Sequence, residues 1–129
     1  MKKYETFAAA LENMKEIYDY APPYNHVVTT GLVGLFEICF EQAWKMMKEI
    51  LSDHGYAEAA TGSPKQILKL AYASGMIQNE TAWLEALQAR NNVAHSYNEA
   101  IALAIIDGAK ATYYDMFYEL KNEIDKNWM

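Results

Sequence analysis

Between Asn25 and Gly55 apolar side chains recur every three or four residues: Val28, Leu32, Leu35, Phe36, Cys39, Ala43, Met46, Met47 and Ile50. That period belongs to an α-helix and not to a strand. Asn25 supplies the side-chain oxygen that an N-cap needs, and Gly55 stands where a glycine closes a helix. The pattern predicts one long helix over residues 25–54 with a broad apolar face. Such a face is stable only when packed on other elements, so the rest of the chain has to provide them.

Four further helices answer that need. Residues 2–20 carry Tyr4, Phe7, Ala8, Leu11, Met14 and Tyr18 on one stripe and stop before Pro22-Pro23, which cannot continue a helix. Ser63-Pro64-Lys65-Gln66 reads as a capping box with proline at the first helical position, and it opens a short helix that ends near Ser74-Gly75. Asn79 with Glu80 starts a fourth helix, whose Trp83, Leu84 and Leu87 face inward. Asn98 with Glu99 starts a fifth, which runs through Ile101, Ile105, Tyr113, Phe117 and Leu120 to about residue 126. No strand alternation of useful length, internal repeat or low-complexity tract interrupts this order. Short connections predict antiparallel neighbours. The expected fold is all-α, an up-and-down antiparallel helical bundle of four main helices and one shorter one, in a single domain over residues 1–129. Gly31 and Gly34 each weaken the long helix by about 1 kcal/mol relative to alanine, and close helix–helix approach is the expected reason for both.

Composition narrows the function classes. Of the residues, 52% are apolar and 22% charged, which is globular rather than disordered. The net charge of −6 makes the whole surface a poor non-specific binder of nucleic acid, although it allows a local basic pocket. A single cysteine, Cys39, rules out an internal disulfide and a Cys-rich zinc site; its apolar neighbours make it a core residue. His26 and His54 share no metal-ligand spacing with His95, and surface or capping roles are expected for them. No cofactor or metal is expected. The start of the chain lacks a signal-type apolar stretch, and Val27 to Phe36 is too short and polar to span a bilayer, so a cytoplasmic protein is expected.

One stretch departs from this scaffold. Arg90-Asn91-Asn92-Val93-Ala94-His95-Ser96-Tyr97 places an arginine, two amides, a histidine and a tyrosine at a helix end. On an ideal helix Arg90 and His95 stand about 140° apart around the axis and about 7.5 Å along it. His95 and Tyr97 diverge by about 200°, so they converge only if the helix breaks near Ser96. Arginine and histidine together suit phosphate chemistry without a metal: the guanidinium grips phosphate oxygens and the imidazole moves protons. When a ribose 2′-hydroxyl attacks its own phosphodiester, a base, an acid and a cation are all needed. One motif holds one histidine, so a two-fold dimer is expected to complete the set. The same residues can also serve only as a helix end, the amides meeting terminal carbonyls and His95 favouring the dipole.

The spacing Arg90, four residues, His95, one residue, Tyr97 resembles the signature of the HEPN superfamily, in its HepT-like and nucleotidyltransferase substrate-binding branch. Phe36-Glu37, Trp44-Lys45, Gly55, Ser63-Pro64, Gly75-Met76-Ile77, Trp83 and Asn98-Glu99 follow that branch in order, over residues 4–125. The resemblance implies a helical bundle that forms a homodimer and pairs with a small nucleotidyltransferase, antitoxin-like where the bundle is a toxin. It implies catalytic roles for Arg90 and His95, with Asn91 as the polar neighbour, in metal-independent cleavage of RNA. It implies that Tyr97 accepts AMP from the partner, and it tilts Glu37, ahead of Glu41, toward pairing with Arg90. The chain lacks a nucleotidyltransferase core of its own. Two other readings stand beside this one: a non-catalytic subunit binding substrate or nucleotide, and a purely structural helical dimer. Trp44 and Trp83 are expected in the core. The excess of aromatic residues at Tyr113, Tyr114, Phe117 and Tyr118 suits a protein interface.

Overall fold

The computed structural model describes residues 1–129 and is all-helical. Helix α1 spans Lys2–Met14, α2 His26–Asp53, α3 Pro64–Ala73 and α4 Glu80–Asn92. Helix α5 runs from Glu99 to Gly108, passes through a π-helical turn at Ala109–Tyr113, and continues over Tyr114–Asn127. Short 3-10 turns at Lys15–Asp19, Ala57–Thr61 and Val93–His95 follow α1, α2 and α4. No helix is long and apolar enough to cross a membrane.

The helix starts are set locally. Asn25 Oδ1 accepts from the Val28 amide at 2.8 Å, and Asn79 Oδ1 from the Ala82 amide at 3.0 Å. The Ser63 hydroxyl accepts from the Gln66 amide while Gln66 Oε1 accepts from the Ser63 amide, closing the capping box from both sides. Asn98 Oδ1 takes the amides of Ala100 and Ile101. At the other ends Gly55 and Gly75 adopt φ of +94° and +84°, the left-handed geometry that lets a helix stop without steric cost. The first helix is tighter than its apolar stripe predicts. Its last turn becomes 3-10, which keeps Ile17 buried and lets the Tyr18 hydroxyl donate to the Lys110 carbonyl at 2.9 Å.

Ring contacts give the helix directions. Along α1 and α5, Phe7 meets Phe117 and Tyr18 meets Tyr114, so these two run antiparallel. Phe36 meets Tyr113, Phe40 meets Phe117 and His54 meets Trp128, so α2 and α5 run parallel. Trp83 meets Phe117 and Asn79 lies in one groove with Glu123 and Lys126, so α4 runs antiparallel to α5; the long helices α1, α2, α4 and α5 alternate in direction, and α3 is the short fifth member inserted between α2 and α4. Phe117 lies at the centre, fully buried, with Trp83 at 5.4 Å, Phe36 at 6.2 Å, Phe40 at 6.4 Å and Phe7 at 6.5 Å between ring centroids. No buried side-chain nitrogen or oxygen is left without a partner. Burial pushes the Cys39 thiol far above its ordinary range, which makes it inert as a nucleophile.

One expectation about α2 changes. The sequence predicts that Gly31 and Gly34 admit a neighbouring helix, but a Cβ built at either meets nothing within 4 Å. Nothing in the chain itself uses their smallness. The glycine that does matter is Gly108, where a Cβ would stand 2.7 Å from Tyr113 Cε2. Its bare backbone lets the Tyr113 ring fold back across the π-helical turn and pack on Phe36 at 5.2 Å.

Candidate functional site

Helix α4 ends on the polar stretch. The chain tightens into the 3-10 turn Val93–His95, turns at Ser96 and becomes extended at Asn98, with φ −79° and ψ 119°, before α5 begins. The Asn98 amide donates to the His95 carbonyl at 3.1 Å, which pins this corner from inside. The break thus falls where the geometry of His95 and Tyr97 required it. Their rings now stand 6.3 Å apart at 74°, an edge-to-face pair. Tyr97 is 87% exposed, the most exposed large apolar or aromatic side chain of the protein. His95 is also exposed, and its ring makes no hydrogen bond with the rest of the chain.

Arg90, in the last turn of α4, reaches sideways to α2. Its Nε donates to Glu41 Oε1, and its Nη1 donates to Asn91 Oδ1 at 3.1 Å. The other oxygen of Glu41 accepts from Trp44 Nε1 at 3.2 Å. Glu41 thereby holds Arg90 from one side while Trp44, three residues on, holds Glu41. The Arg90 and Glu41 side chains are 28% and 22% exposed, so solvent screens the pair and its main effect is to fix direction. With Nε engaged, the two terminal nitrogens are what the arginine can offer a ligand. Asn91 is exposed and turns its carbonyl oxygen back to Arg90. Next to it, Gln88 Nε2 donates to Asn92 Oδ1 at 3.0 Å along the same helix.

Two details differ from the sequence reading. The pairing with Arg90 falls to Glu41 and not to Glu37, which stands one turn earlier on α2 and forms no ion pair. Four residues are about 6 Å along a helix, enough to place Glu37 below the level of Arg90. Trp44 is half-buried rather than core, and its indole nitrogen serves Glu41. Arg90 and His95 each have their own partner, Arg90 pairing with Glu41 and His95 with Tyr97. The i,i+3 spacing of Glu41 and Trp44 on the face opposite an arginine-bearing helix is the signal that finds this support. No group of three or more His, Cys, Asp or Glu side chains converges anywhere to hold a metal ion.

Comparison with known proteins identifies the class. The profile of the family described as "Nucleotidyltransferase substrate binding protein like" matches residues 2–126. The chain belongs to this family, whose bundle is of the HEPN type, and the family associates with a nucleotidyltransferase as its substrate-binding partner. Among solved structures, HI0074 of Haemophilus influenzae, described as the substrate-binding domain of a nucleotidyltransferase, superimposes with a TM-score of 0.81 at 19% identity, covering 95% of this chain and 99% of that one. A Thermus thermophilus protein, ttk003001694, superimposes with a TM-score of 0.70 at 23% identity, covering 92% and 94%. At these identities the two structures establish the fold alone. No curated protein matches the sequence.

Proposed function

We propose that the protein is a HepT-like partner of a minimal nucleotidyltransferase, cutting RNA without a metal at a dimeric Arg90–His95 site and silenced when Tyr97 receives AMP. The observation that carries this reading is the corner after α4, which holds out the Tyr97 ring beside a free His95 imidazole. A phenol so exposed, on a turn pinned by Asn98, is accessible to an enzyme that must bring ATP to it. In the transfer the Tyr97 oxygen bonds to the α-phosphorus of ATP, the bond to pyrophosphate breaks, and the phenolic proton leaves. The bulky anionic product then stands against His95 and blocks it. Mixing the protein with its nucleotidyltransferase and ATP is expected to add one adenylyl group per chain by mass spectrometry, and Tyr97→Phe to remove it. Persistence of the adduct in Tyr97→Phe moves the acceptor elsewhere.

A second copy supplies the second histidine that acid–base cleavage needs. Support for such a dimer comes from α2. Val27, Gly31, Gly34 and Ile38 lie on one helical face, with Val27 83% and Ile38 55% exposed, and the same face continues to Glu41. Two such stripes could approach closely, because their centre has no side chains. Replacing Gly34 with arginine should leave a monomer in light scattering where the parent chain is a dimer. Folded stability is expected to hold, since the added side chain enters open space and arginine is the better helix former. A dimer that survives the substitution excludes this face.

The Arg90–Glu41 pair favours one alternative, a non-catalytic subunit that binds substrate or nucleotide for the nucleotidyltransferase. A carboxylate on Nε offsets part of the charge that a phosphorane needs, while leaving an oriented fork for a ground-state phosphate.

A further inference from the structure

On α1 and α5 the structure carries a second surface that the α4 corner does not use. Tyr18 is 47% and Tyr118 50% exposed, with Tyr114 half-buried between them. The Tyr18 and Tyr114 rings meet edge to face at 5.5 Å, and Tyr114 and Tyr118 stack at 6.4 Å. Tyr18 cannot swing away, because its hydroxyl is tied to the Lys110 carbonyl within the π-helical turn. The three rings form an aromatic platform anchored at Tyr18, and the hydroxyls of Tyr114 and Tyr118 bond to nothing in the chain.

Carboxylates border this platform. A groove of about 230 Å³ beside Tyr18 is lined by Glu12, Glu16 and Asp19, with Lys15 as its one cation. The phenols register the field: burial first, and then Asp115 for Tyr18 and Glu12 for Tyr114, pushes both hydroxyls above their ordinary range. Negative ring faces inside a negative surround favour a cation, and a planar guanidinium stacks on a ring where an ammonium does not. The same charge repels a phosphate backbone and an anionic lipid surface.

We propose that this face docks an arginine-bearing segment of a partner protein. The charge selects a basic segment and the rings select arginine over lysine. The surface and its occupant are independent of whether the α4 corner cuts RNA.

Calorimetric titration of the full chain with a synthetic (Arg-Gly)5 peptide tests it, beside the (Lys-Gly)5 peptide and a ten-nucleotide oligouridine at the same salt. One arginine peptide should bind per chain, about threefold or more tighter than its lysine counterpart. Tyr118→Ser should weaken it about fivefold, and Glu12→Gln with Asp115→Asn about tenfold. These side chains are at the surface, and circular dichroism of each variant checks that the bundle is intact. Tyr118→Ser leaving the affinity unchanged overturns the proposal, since attraction to an acidic protein then suffices. So does equal binding of the two peptides, absence of saturable binding, or binding of the oligonucleotide by itself to the chain that Tyr118→Ser weakens.

Discussion

The proposed cleavage of RNA by a dimer should fall about 10²–10⁴-fold when His95 is replaced by alanine, the range that a positioned acid or base contributes. In the proposed reaction one His95 takes the proton of the 2′-hydroxyl, whose oxygen attacks the adjacent phosphorus. The His95 of the second protomer gives a proton to the departing 5′-oxygen, and a cyclic phosphate is left. Arg90, aimed by Glu41 and Trp44, faces the charge that builds on the phosphorane. Acid and base together require a bell-shaped pH dependence, and His95→Ala should flatten what activity remains. Because the side chain is exposed and unbonded, its loss should leave the unfolding midpoint in place, separating chemistry from folding. Chelation by EDTA should change nothing. If His95→Ala cuts as fast as the parent chain, the substrate-binding alternative takes over.

The largest effect on stability is expected at Phe117. Truncation to alanine removes the ring that Phe7, Phe36, Phe40 and Trp83 all touch, and the cavity would open among four rigid aromatic groups from α1, α2 and α4. Rings of that size do not collapse easily into the space. The expected loss is about 3–5 kcal/mol, a large part of the total for a domain of this length. Urea unfolding should show a lower midpoint with the slope preserved. A loss below about 1 kcal/mol would mean that the rings do not share one packed centre.

The helices were legible because their ends are written into the chain. Asn25, Ser63, Asn79 and Asn98 each cap the helix that their position announces, through bonds reaching only two or three residues. The family, too, was carried by short motifs in order along the chain, from Phe36-Glu37 through Ser63-Pro64 and Trp83 to Arg90, His95, Tyr97 and Asn98-Glu99, and the profile match bears it out. What failed depends on relations between elements. Whether Glu37 or Glu41 meets Arg90 turns on the level of α4 against α2, which no period reports. Met76 and Ile77 are buried although they follow Gly75 in a connection without periodicity, so no stripe revealed them. The emptiness beside Gly31 and Gly34 is a property of the packed chain, and in sequence it looks the same as close approach.

The π-helical turn in α5 sets how the two ends of that helix face one another. Each residue advances a helix by about 100°, and a π turn accommodates one residue beyond the α-helical count. The segment Tyr114–Asn127 is therefore offset by about one residue, roughly 100°, from the phase that an uninterrupted α-helix would carry over from Glu99–Gly108. The first segment takes its phase from the Asn98 corner that presents Tyr97, and the second takes its own from Phe117 in the core. The inserted residue is what lets one continuous helix satisfy both, starting at the corner that presents Tyr97 and still turning Phe117 into the aromatic centre.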